Sequence, residues 1–178
     1  MRILLIDNDD SFTRNLEHLL VAETGARVVV LPRARLGGVR PGGWDLVVLS
    51  PGPGSPQDHP GHGPLLDSGL PVLGICLGLQ IINAHLGGAT GRLPGCVHGR
   101  AEAIVFAGRE RLVARYHSLY LERVAEGLEV LAVNRDGAPM AARHVSRPLM
   151  GYQFHPESFL TPDGGFFIRH ALEHLGLS

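Results

Sequence analysis

Through the first half of the chain, short apolar runs alternate with stretches whose apolar residues recur every three or four positions. The runs lie at 3–6, 28–31, 46–49 and 72–75, and the helical-period stretches at 11–23 and 77–86. A run of four apolar residues bounded by turn signals suits a strand covered on both faces, and strands alternating with amphipathic helices predict an α/β fold. The expected architecture is a mostly parallel central sheet flanked by helices. In the first helix, Phe12, Leu16, Leu19 and Leu20 share one face; Asp10 or Ser11 is expected to cap its start and Gly25 its end. Gly87 and Gly88 are expected to stop the second.

From residue 101 the runs change character. Segments 101–106, 112–116, 128–133, 140–144 and 150–154 are closely spaced, with a turn at Asn134 to Gly137, and predict a smaller antiparallel portion followed by a closing helix at 166–175. Pro and Gly gather at 37–43 and 51–64, but apolar strands resume directly after each, so these segments read as loops at strand ends. Without a linker or internal repeat, the 178 residues are expected to form one domain, 1–178.

Composition narrows the classes. Apolar residues make up 44% and charged residues 19%, the balance of a folded core. A formal net charge of −1 supplies no basic field for nucleic acid. No apolar run nears the roughly 18 residues of a membrane span, and no cationic leader precedes an apolar core, so a cytoplasmic protein is expected. Every one of the 16 basic residues is Arg, which removes a Walker-type phosphate loop as the reason for the glycines. The two cysteines, Cys76 and Cys96, are not expected to pair in that compartment.

Cys76 has the more informative surroundings. Gly74-Ile75-Cys76-Leu77-Gly78 joins an apolar strand to a helix, the small-x-nucleophile-x-small spacing of a strained elbow that lifts one side chain toward solvent. Aligned N–H groups at the helix start favour a thiolate there and can hold an oxyanion. A buried, inert Cys accounts for the elbow equally well. Farther on, His155-Pro156-Glu157 offers an imidazole and a carboxylate two positions apart, expected to point to one side of an extended segment. A surface His–Glu pair is the plainer reading of those residues alone. The coexistence of elbow and pair favours a nucleophile, a base and an orienting acid for acyl transfer. Gly52, Pro53 and Gly54 follow the strand ending at Leu49, where open α/β sheets place their ligands.

The remaining histidines take no role. His59 and His62 fall in a Pro/Gly loop, while His170 and His174, one turn apart, are expected on a solvated helix face, without the further ligands that zinc requires. No metal or cofactor is expected. Cys96 reads as structural.

Taken in order, Asp7-Asn8, Asp10 to Thr13, Asn15-Leu16, Ser50 to Gly54, Pro71 to Gly78 with Gln80, His98-Gly99, Arg115 to Leu119, and Gln153 to Ser158 with Thr161 resemble the class I, triad-type glutamine amidotransferases. The likeness is strongest to the small subunits that serve anthranilate and para-aminobenzoate synthesis. It implies a flavodoxin-like fold. It also implies that Cys76 attacks the carboxamide of L-glutamine, that His155 moves the proton, and that Glu157 orients His155. Gly52, Pro53, Gly54, Leu77, Gln80, Ser118 and Leu119 would bind the glutamine. The implied partner is a chorismate-converting large subunit in a hetero-oligomer, of the anthranilate type first and the para-aminobenzoate type as the alternative. The other readings are a stand-alone γ-glutamyl hydrolase and an inactive binding subunit.

Departures from that pattern are Leu79 for a usual His, Asp9 for a usual aromatic, Arg100 for a usual Lys, and a stretch between Gly99 and Arg115 shorter than usual, a change that a surface loop can tolerate. A phosphoreceiver domain is a rival because Asp7, Asp9 and Asp10 cluster after the first strand. It lacks its acceptor Asp, since Ser50 stands there, and its Lys.

Overall fold

The computed structural model of the protein describes residues 1–93 and 99–177. Cys96 and His98 lie outside the described residues. Strands β1 (Arg2–Asp7), β2 (Arg27–Pro32), β3 (Leu46–Leu49), β4 (Val72–Ile75), β9 (Leu128–Val133), β10 (Pro139–His144) and β11 (Leu149–Tyr152) form one sheet. Its order is β2-β1-β3-β4-β11-β10-β9. The contiguous five from β2 to β11 run parallel, and β10 and β9 extend the sheet antiparallel.

The period-2 geometry of a strand explains why the early runs are apolar throughout. Ile3 and Leu5 of β1 join one core with Leu16 and Leu20 of α1 (Thr13–Thr24) and Phe167, Ile168 and Ala171 of α4 (Gly164–His174). Leu4 and Ile6, the alternate residues, join the other core with Leu65 and Leu66 of the short α2 (Gly63–Leu66) and Ile81 and Ile82 of α3 (Leu77–His85). Three layers result, and the α/β expectation holds.

Local details differ from the sequence reading. Helix α1 begins at Thr13, with Phe12 at its cap position and no side-chain cap bond. The Asp10 carboxylate instead accepts the Phe12 N–H at 3.0 Å, while Asp7 accepts the Thr13 hydroxyl at 2.8 Å. Asp9, with φ 64°, turns the chain between them. Gly25 closes the helix in the left-handed conformation, as expected. The 99–115 segment bears out the antiparallel runs expected at 101–106 and 112–116. Its residues form a hairpin, β6 (Arg100–Phe106) and β7 (Arg109–Arg115), turned at Ala107 and Gly108, both with positive φ as a two-residue hairpin turn requires. Its inner face, Ile104, Phe106 and Val113, enters the α1/α4 core. Strands β5 (Ala89–Arg92) and β8 (Leu119–Arg123), absent from the strands expected from the sequence, pair antiparallel. Leu79, fully buried, packs on Leu121 and Ala142, so this departure is a packing substitution. Among the described residues no helix is long and apolar enough to cross a membrane.

Candidate active site

The elbow forms where β4 meets α3. Cys76 sits at φ 52° and ψ −103°, a conformation costing a non-Gly residue about 1–3 kcal/mol, and it occupies the cap position of α3. Both flanking glycines are required by contact: a Cβ on Gly74 would lie 2.4 Å from the Gly78 carbonyl carbon, and one on Gly78 would lie 2.4 Å from the Leu49 carbonyl oxygen. The Cys76 N–H donates to the Tyr152 carbonyl at 2.7 Å, tying the turn to β11. Leu77, first in the helix, has an N–H that no helical carbonyl can accept.

His155 arrives from the segment after β11, held by its own N–H to the Ala114 carbonyl at 3.1 Å and by the Thr161 hydroxyl, which donates to its carbonyl at 2.7 Å. Nδ1 meets Glu157 Oε1 at 2.7 Å, leaving Nε2 as the ring nitrogen available to Cys76. The residues after His155 do not continue extended: the Ser158 N–H bonds back to the His155 carbonyl at 3.3 Å, and the turn, not strand alternation, brings Glu157 beneath the ring. Burial opposes a proton on His155, but the Cys76 sulfur, with the Glu157 carboxylate, outweighs it and holds the imidazole well above the ordinary histidine value. The ring lies against Tyr116 and Phe12, with centroids at 5.0 and 5.8 Å.

A cavity of about 500 Å³ opens above the elbow, within the range of small-ligand sites. Cys76, Leu77, Gln80 and His155 line it, as do Gly52, Pro53, Gly54, Ser118 and Leu119. Glu157 stays behind the ring, its side chain fully buried. The predicted residues therefore converge from four separate stretches of chain.

Several residues at or behind the cavity carry no catalytic or binding role by sequence alone. Gln153 donates to Cys76 Sγ at 3.5 Å and accepts at 3.1 Å from the Gln80 amide, which also donates to the Leu119 carbonyl at 3.2 Å. Asp10 borders the cavity, and burial raises its carboxyl above the usual range, despite its bond from Phe12. His117, which also borders the cavity, donates through Nδ1 to the Leu119 carbonyl at 2.8 Å, and burial lowers its pKa to about 4, while its Nε2 is buried. These residues lie within the matched segments, but side-chain type alone gives no reason to single them out. No Arg lines the cavity among the described residues, whereas Asp9 and Asp10 do.

His59 and His62 correct the plain-loop reading: both are buried, at 5% and 2% exposure, and both bond to the loop that carries Gly52 to Gly54 or to its neighbours. His170 likewise is not on a fully solvated face. Its Nδ1 meets the Tyr152 hydroxyl at 2.9 Å, and His174 stacks on it from the exposed side, with centroids 4.1 Å apart. Among the described residues no group of His, Cys, Asp and Glu is arranged to hold a metal ion.

Comparison with known proteins fits this geometry. The profile of the family described as glutamine amidotransferase class-I matches residues 4–175. An anthranilate synthase of Azospirillum brasilense is 48% identical over 92% of the chain, and an aminodeoxychorismate synthase of Streptomyces griseus is 44% identical over 92%. The chain spans about a quarter of the length of each, 24% and 25%. A pyocyanine-specific anthranilate synthase component 2 of Pseudomonas aeruginosa is 40% identical over 97% of the chain and 93% of that protein. A solved structure of a proposed GMP synthase component from Thermoplasma acidophilum superposes with a TM-score of 0.86, covering 99% of the chain and 94% of that structure at 23% identity, which shows the shared fold.

Proposed function

The chain belongs to the class-I glutamine amidotransferases, and from that membership we propose that it is a glutaminase subunit that supplies ammonia to a chorismate-converting large subunit. The observation that carries the reading is Cys76, held on a positive-φ turn at a helix start beside an imidazole whose far nitrogen is bonded to a buried carboxylate at 2.7 Å.

In the proposed reaction Cys76 Sγ attacks the carboxamide carbon of glutamine, and the carbonyl electrons move onto oxygen. The Gly54 and Leu77 N–H groups are the proposed donors to that oxyanion. His155, protonated at Nε2, delivers its proton to the amide nitrogen as the C–N bond breaks, releasing ammonia and leaving a γ-glutamyl thioester. Water then gives a proton to His155 and attacks the thioester, and glutamate departs as the thiol is restored. Glu157 holds the ring and balances its charge throughout. The cavity lining supports an amino-acid substrate: the carboxyl groups of Asp9 and Asp10 suit an ammonium, and with no Arg among the described lining residues and no Lys in the sequence the site is poorly equipped for a phosphorylated one.

Two relatives named for anthranilate synthesis favour a large subunit of the anthranilate type as partner, and the 44% identical aminodeoxychorismate synthase keeps the para-aminobenzoate route as the second reading. Co-purification with each candidate large subunit, followed by identification of the aminated product with glutamine as nitrogen donor, separates them. Anthranilate supports the first reading and aminodeoxychorismate the second. Neither product, with free ammonia released at full rate by the chain alone, would favour a stand-alone hydrolase.

A further inference from the structure

The loop Ser50 to Gly54 runs between two clamps. At its start Asn8 donates through Nδ2 to the Ser50 carbonyl at 2.9 Å, while the Asn8 N–H donates to Ser50 Oγ at 2.9 Å. The Ser50 hydroxyl in turn donates to the Pro51 carbonyl at 2.6 Å. Gly52 packs so closely on Asn8 that an added Cβ would stand 2.5 Å from the Asn8 carbonyl oxygen. Toward its end the loop is held by His59, which donates through Nε2 to the Pro53 carbonyl at 2.7 Å. His62 spans the two clamps, its Nε2 3.0 Å from Asn8 Oδ1 and its Nδ1 3.0 Å from the His59 carbonyl.

We propose that His62 is a positioning residue for the glutamine reaction, closing a hydrogen-bonded ring of Ser50, Asn8, His62, His59 and Pro53 that fixes the loop bearing Gly54. This inference rests on the glutaminase reading. It goes beyond it by assigning a role to a side chain outside the cavity lining.

The chemistry of the ring makes the brace sensitive to protons. Both atoms that His62 faces are acceptors, because the Asn8 amide already spends its donor on Ser50. Turning that amide over does not help, since its oxygen would then face the Ser50 carbonyl. A neutral imidazole has one N–H and can satisfy only one of the two; an imidazolium satisfies both. Burial opposes the proton on His62, as do the nearby His59 and Arg33. Arg33 is itself engaged by Asp9 and the Asp58 carbonyl, Asp58 is bonded to Ser55, and His85 of α3 stands against Gly63. Closing the last contact thus requires acidification below the ordinary histidine range.

The test compares ammonia release from glutamine by wild type, His62→Leu and His62→Gln, each with a chorismate-converting large subunit present, at about pH 5.5 and about pH 8, one acidic and one alkaline of the ordinary histidine value of about 6.5. The expected result for His62→Leu is a kcat about tenfold or more below wild type at the lower pH, with KM within about threefold, and a smaller deficit at the higher pH. Taking the ratio to wild type cancels the pH dependence of the shared chemistry at Cys76 and His155. His62→Gln keeps an amide donor for one acceptor but cannot gain a proton, so its deficit is expected at the lower pH alone, and it stands in if His62→Leu does not fold. A kcat within about twofold of wild type, a deficit equal at both pH values, or a change confined to KM overturns the proposal. Wild type that releases no ammonia even with the large subunit present sinks the glutaminase reading instead, so the two failures are distinct.

Discussion

His155 and Glu157, two positions apart, meet through Nδ1 and Oε1 at 2.7 Å because the chain turns back on itself between them. The Glu157 side chain is fully sealed from solvent, and its second oxygen, Oε2, makes no hydrogen bond among the described residues. A buried carboxylate held this way is costly unless its partner is cationic, so the pair favours the imidazolium that the proposed ammonia release requires.

Replacing Glu157 by Gln keeps the shape and removes the charge. Glutamine turnover is expected to fall about 10²- to 10⁴-fold, with KM changed far less. Steady-state kinetics of the variant check this, and a fall under about threefold would show that Glu157 does not orient the base.

The raised His155 value has a stability consequence with a definite sign. A histidine whose folded pKa exceeds its unfolded value binds the proton more tightly when folded. Its contribution is complete below the unfolded value of about 6.5 and is lost as pH rises through the folded one. Cys76→Ala removes the sulfur that most raises the value, so burial counts for more and the pKa falls. Imidazole NMR titration of both proteins, with melting temperatures above pH 6.5, is expected to show a lower His155 pKa and a shallower loss of stability in the variant. An unmoved His155 value would contradict the coupling.

The parallel half of the fold was legible because its strands are buried on both faces and therefore apolar without interruption, as 3–6, 46–49 and 72–75 show. The elbow was legible for a related reason: only glycine tolerates the backbone contacts at 74 and 78. Strands β5 and β8 were not, because Thr90 and Gly91 leave β5 without apolar alternation, the apolar run Leu119 to Leu121 of β8 ends after three residues at Glu122 and Arg123, and among the described residues the two strands pair only with each other. His62 was missed because its partners, Asn8 and His59, are set by tertiary contact, one of them 54 positions away. The turn at His155 to Ser158 was misread as extended since Pro156 restricts its own φ without fixing the backbone of Glu157 and Ser158.

Gly78→Ala tests the closeness of α3 to β3. Its Cβ would stand 2.4 Å from the Leu49 carbonyl oxygen, a backbone atom with little freedom to move. A loss of about 1–3 kcal/mol is expected from such overpacking, or a melting temperature lower by about 2–10 °C, measured by calorimetry. An unchanged melting temperature would mean that the helix is free to shift away.

Phe106 tests whether the β6–β7 hairpin is part of the core. It is fully buried and meets Tyr152, Phe166, Phe167 and His170 edge-on, with centroids between 4.7 and 6.2 Å. Phe106→Ala is expected to cost about 3–5 kcal/mol in urea unfolding, whereas a loss below about 1 kcal/mol would leave the hairpin a loose appendage.

The central claim is covalent chemistry at Cys76, and acid-quench mass spectrometry during glutamine turnover addresses it most directly. A γ-glutamyl adduct is expected on the peptide containing Cys76 in the wild type, with neither adduct nor ammonia release in Cys76→Ala. Ammonia release by Cys76→Ala at the wild-type rate would contradict it.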